Sequence, residues 1–145
     1  MTETLQERII RHEGCRFMPY VDTLWNWTIG VGHKLTEEQA TNEYANGINH
    51  DEAVNLLNAD IARCIDQADT QISCFEALNE IRQDVIAEMV FQLGITGVLA
   101  FHIMLDAATK QDWAKAAYEM VNSKWHSQTP DRCAELANLM LTGTI

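Results

Sequence analysis

The chain has 145 residues, of which 47% are hydrophobic, and a formal net charge of −11. That length and apolar content suffice for a packed core without metal or disulfide support, and so acidic a balance argues against phosphate-backbone binding, which needs a basic stripe. No run of eighteen apolar residues occurs, and the start MTETLQERIIRHEG lacks the apolar stretch of a signal peptide, so neither membrane insertion nor export by a leader is expected.

Helix starts are well marked along the chain. Thr4 with Glu7 forms an S/T-x-x-E/Q capping box and opens an amphipathic helix that ends near Glu13. Residues 16–35 alone read as strand: Phe17, Tyr20, Trp25, Trp27, Ile29 and Val31 are broken by turn residues at Asp22-Thr23 and by Gly30 and Gly32. Thr36 with Gln39 makes a second box, and Asn49 caps a long helix from about residue 51 with Leu56, Leu57, Ile61, Cys64, Ile65 and Ala68 at helical spacing. Ser73 with Glu76 predicts a third box. After it come Ile81, Val85, Ile86, Met89, Val90 and Leu93, the most apolar helix, with Gly94 as its stop. Trp113 and Trp125 take core positions by spacing, and Thr129-Pro130 supplies a cap and an N1 proline for the last helix. The organisation is α+β and mostly helical, with a small lobe over about 12–60 and a helical lobe over about 69–145.

Cys15, Cys64, Cys74 and Cys133 show no C-x-x-C spacing, and the five histidines are scattered with no H-E-x-x-H motif. Free thiols, no metal and no cofactor are expected. The G-V-G of residues 30–32 lacks the Lys-Ser/Thr of a phosphate loop. Its glycines serve either as plain turn residues or to let the hairpin approach a substrate chain closely.

Chemistry concentrates near the N-terminus. Glu13 closes the first helix, Asp22 opens a turn, and Thr28 lies on the Gly-punctuated hairpin. Singly, each has a plain explanation: a solvated Glu, an Asp bonded to its own turn, a strand Thr. Together they suit glycosidic-bond hydrolysis, in which one carboxyl protonates the leaving oxygen and another manages water or the cation-like sugar.

Their order, E-G, eight residues to D-T, and five more to T-I-G-x-G-H, resembles the catalytic segment of phage-type (T-even) lysozymes, the endolysin muramidases of the glycoside hydrolase 24 type. DEAVNLLNAD (51–60), EMVFQLGITGVLAF (88–101), W-x-x-A-A (113–117), SKWHSQTPDR (123–132) and LTGT (141–144) resemble later blocks of that family in the same order. The resemblance implies a two-lobe fold with a small three-stranded antiparallel sheet. Residues 1–11 would join the helical lobe, and a polysaccharide cleft would lie between the lobes.

It further implies Glu13 as general acid, with Asp22 and Thr28 holding the hydrolytic water in an inverting geometry, the carboxyls about 6.5–9.5 Å apart. Gly30, Gly32, Phe91 and Gln92 would contact substrate, and His33 would pair with Asp60. Arg132 would pair with Glu13, which also explains a cation at N3 of a helix, where the dipole disfavours it. Lys34, Met104 and Glu119 depart from the family's groove residues, and Trp25 stands where a turn glycine is usual. Trp27 falls where the family has an aromatic, and core or rim is the favoured reading of both tryptophans.

The implied function is hydrolysis of the β-1,4 bond between N-acetylmuramic acid and N-acetylglucosamine in peptidoglycan, serving phage release. A monomer is expected, held in the host cytoplasm until a separately encoded holin lets it reach the periplasm and cell wall. The alternatives are a lytic transglycosylase and an inactive wall-binding module on the same fold.

Overall fold

The computed structural model describes residues 2–145. Eight helices and one sheet are assigned among them: α1 (Leu5–Glu13), β1 (Arg16–Val21), β2 (Trp27–Gly30), β3 (His33–Lys34), α2 (Glu37–Thr41), α3 (His50–Gln71), α4 (Glu80–Leu99), α5 (His102–Thr109), α6 (Trp113–Val121), α7 (Lys124–Gln128) and α8 (Pro130–Thr142). The sheet is antiparallel in the order β1-β2-β3. Two compact units result, Met1–Ala62 and Arg63–Ile145, with α3 running through the boundary.

In the first unit the ends of elements are fixed by local chemistry. Thr4 and Glu7, Thr36 and Gln39, and Asn49 and Glu52 exchange side-chain and backbone bonds at the starts of α1, α2 and α3. Caps of this kind contribute about 1 kcal/mol each. Ile29, Leu35 and Ala40 form a small apolar cluster against which Trp27, Tyr44, Ile48 and Leu56 pack. The β2–β3 turn puts Gly30 and Gly32 at φ of 62° and 63°, a left-handed backbone that glycine takes at no steric cost.

The second unit holds a larger core. Val85, Ile86, Met89 and Val90 of α4 are buried with Met104, Met120, Trp125, Leu136 and Met140. Gly94 breaks α4 with φ 78° and ψ 160°. Two local expectations are corrected. Ser73 and Glu76 form no capping box: the chain makes a 3₁₀ turn at Phe75–Ala77 around buried Phe75, and Asn79 caps α4 by accepting from the Arg82 amide at 3.0 Å. Thr129 sits at the start of α8, but its hydroxyl accepts from Gln92 Nε2 at 3.1 Å instead of capping. All four cysteines are free thiols, only Cys15 being exposed. No single helix among the described residues is long and apolar enough to cross a membrane.

Candidate active site

Asp22 follows β1 directly, and its carboxylate accepts three hydrogen bonds. Its Oδ1 accepts from the amides of Leu24 at 2.9 Å and Asn26 at 2.8 Å, an arrangement that folds residues 22–26 into a tight turn. Its Oδ2 accepts from Lys34 Nζ. Lys34 foremost, then the Asn26 and Leu24 amides, outweigh the opposing effect of burial and lower the carboxyl from its ordinary 3.8 to about 2. Asp22 is therefore an ionised acceptor near neutral pH.

Thr28 lies on β2, opposite Tyr20 of β1 and Lys34 of β3. Directly paired residues share a face of the sheet, so Tyr20, Thr28 and Lys34 form one row across it. Thr28 is 1% exposed, and its hydroxyl donates to the Asn26 carbonyl at 3.0 Å. With its proton committed there, the hydroxyl's remaining capacity is as an acceptor.

Glu13 is the last residue of α1, which Gly14 ends at φ 73° with its amide bonded to the Ile10 carbonyl at 2.8 Å. Glu13 as a whole is half-buried. Tyr20 links the two acids electrostatically. Burial pushes its phenol above the ordinary 10.0, Glu13 and Asp22 push the same way, and Arg16 and Lys34 oppose them. One ring on β1 thus feels both carboxylates. Arg16 also stacks over that ring at 4.3 Å.

His33 Nδ1 meets Oδ2 of buried Asp60 at 2.7 Å, tying β3 to α3. Trp27 is half-buried against the small cluster, whereas Trp25 is 88% exposed with φ 65°. Such a backbone is strained for a bulky side chain.

The remaining sequence candidates lie in the second unit. Phe91 packs against the core, and the Gln92 amide is used at both ends: its oxygen accepts from Trp125 Nε1 at 3.0 Å and its nitrogen donates to Thr129. Arg132, which the family resemblance pairs with Glu13, donates from Nε to Glu88 Oε2 at 2.9 Å. Glu88 is fully buried in α4 and was missed by sequence reasoning. The signal was a charged residue at a core position of the most apolar helix.

A pocket of about 540 Å³ within this unit is lined by Met104, Glu119, Phe101 and Trp125 among others. Glu119 is its only carboxylate, so it offers no acid pair for hydrolysis. Among the described residues no group of His, Cys, Asp and Glu is placed to hold a metal ion.

The sequence matches the family described as Phage lysozyme over residues 10–139. The chain belongs to the phage lysozyme family. It is 30% identical over 166 aligned positions to a probable T4-type lysozyme 1 of Dictyostelium discoideum, covering 100% of this chain and 98% of that protein. A second probable T4-type lysozyme from the same organism is 29% identical with the same coverage. The pre-baseplate central spike protein Gp5 of Enterobacteria phage T4 is 31% identical over 98% of this chain, though over only 28% of its own length. The mostly helical fold with its small antiparallel sheet agrees with that membership, which brings with it a lysozyme-type glycosidase activity on peptidoglycan.

Proposed function

We propose that this family member hydrolyses the β-1,4 bond between N-acetylmuramic acid and N-acetylglucosamine with inversion. The observation that carries the reading is the pairing of an acceptor-only carboxylate, Asp22, with a hydroxyl, Thr28, whose own proton is already given to the Asn26 carbonyl. A water between them donates one hydrogen to each and turns its lone pair toward the anomeric carbon. As the new C–O bond forms, the water's proton passes to Asp22. The glycosidic C–O bond breaks, and Glu13 in its protonated form supplies the proton to the leaving oxygen. Exchange with solvent restores both acids.

Asp22 is a weak base, because Lys34 and two amides stabilise its charge. Its contribution therefore lies more in orienting water and stabilising positive charge on the sugar than in strength as a base.

Digestion of purified peptidoglycan followed by mass spectrometry tests the reading. Hydrated reducing ends support it. Ends bearing a 1,6-anhydro ring would assign a lytic transglycosylase, and no fragments at all would assign an inactive wall-binding module. The anomer formed first, read by NMR, tests inversion. The setting we propose is phage release, the protein acting as a monomer and reaching the wall through a separately encoded holin.

A further inference from the structure

A carboxylate offers about four lone-pair positions. On Asp22, the amides of Leu24 and Asn26 use Oδ1, and Lys34 Nζ uses one position on Oδ2. One position on Oδ2 remains. Lys34 comes from β3, whose register sets it directly opposite Thr28, the other acceptor in the site. The cation therefore reaches the carboxylate from the strand position paired with Thr28.

We propose that Lys34 is a positioning residue for the reaction: its ammonium fixes Asp22 Oδ2 opposite Thr28, leaves a single acceptor direction for the hydrolytic water, and sets the lower pH limit of catalysis. The inference rests on Asp22 holding that water.

The sign follows from charge. Asp22 accepts from water only when ionised, and Lys34 is the largest of the influences that hold it ionised. Tyr20 of the adjoining strand β1 feels Asp22 together with Glu13, Arg16 and Lys34, and β2 contributes the uncharged Thr28. Burial opposes ionisation, so removing Lys34 leaves only the Asn26 and Leu24 amides to hold the charge. Activity then fails at a higher pH. The Lys34 side chain is 59% exposed, so methionine can replace it without disturbing the core.

The test compares wild type, Lys34→Met and Lys34→Arg by carboxyl ¹³C NMR titration and by the pH dependence of kcat/KM on soluble peptidoglycan fragments. In K34M the Asp22 midpoint should rise by about one pH unit or more, toward the ordinary 3.8. The acid limb of kcat/KM should rise with it, and K34R should return both to the wild-type position. If K34M is too slow for a limb to be measured, the NMR midpoint decides. An unchanged midpoint overturns the inference, as does a midpoint that moves while the limb stays. An inactive wild type would overturn the proposed function and the catalytic role of Lys34 together. An active wild type whose K34M variant keeps its acid limb overturns the role of Lys34 alone.

Discussion

The backbone amide of Asp22 and the hydroxyl of Thr28 donate to the same oxygen, the carbonyl of Asn26, at 2.9 and 3.0 Å. The Asn26 amide returns a bond to Asp22 Oδ1 at 2.8 Å. The carboxylate and the hydroxyl are thereby both tied to one residue, Asn26, before any substrate binds. Preorganisation of this kind lowers a barrier because no reorientation is left for the reaction step.

Thr28→Val removes the acceptor while keeping the branched shape. It should reduce kcat on purified peptidoglycan by at least about tenfold with little change in thermal stability, and Thr28→Ser should retain most activity. Equal activity for the valine and serine variants would remove Thr28 from the mechanism.

Asp22 also links stability to pH. Its folded-state pKa, about 2, lies below the ordinary 3.8. The stability it contributes is therefore complete above about pH 4 and is lost as pH falls through 2. Because the Lys34 side chain is 59% exposed, solvent screening limits the amount to about 1 kcal/mol or less. Wild type should lose that much more than Asp22→Asn between about pH 5 and pH 2, as measured by chemical unfolding. Parallel curves for the two proteins would refute the linkage.

Trp25 holds a left-handed backbone with 88% of its surface exposed. Glycine adopts that conformation without the Cβ clash, which costs roughly 1–2 kcal/mol, although it gives back part of the gain through a freer unfolded chain. Trp25→Gly should raise Tm by about 1–3 °C in calorimetry. A lower Tm would mean that the exposed indole makes stabilising contacts that outweigh the strain.

Arg132 and Glu88 form a pair buried in the second unit. Arg132→Met should cost about 3–5 kcal/mol, because it removes one partner of an ion pair buried in the core. The double variant Arg132→Met, Glu88→Leu should recover most of that loss. Additive losses in a double-mutant cycle would show that the two side chains do not act as a pair.

Much of this was legible in the sequence because it is local. Asp22 closes a turn on its own neighbours, the Thr4, Thr36 and Asn49 caps reach only three residues, and the hairpin is punctuated by its glycines. What was missed depends on tertiary placement. Lys34 lies twelve residues from Asp22 in sequence and meets it only through the strand register. Glu88 and Arg132 are forty-four residues apart and are joined by helix packing. Ser73 carried the pattern of a cap, but burial of Phe75 claimed the following turn and moved the helix start to Asn79. Thr129 was in cap position and was recruited by Gln92 from another helix.

Glu13→Gln is the most direct test of the central claim. Glutamine keeps the shape and hydrogen-bonding reach of Glu13, half-buried at the end of α1, but has no proton to give the leaving oxygen. General acid catalysis is typically worth ~10²–10⁴-fold. The variant should therefore fold as the parent does and release reducing ends from purified peptidoglycan at least about a hundredfold more slowly. A rate above about a tenth of the parent's, in a folded variant, would contradict the assignment of Glu13 as the acid and the lysozyme mechanism built on it.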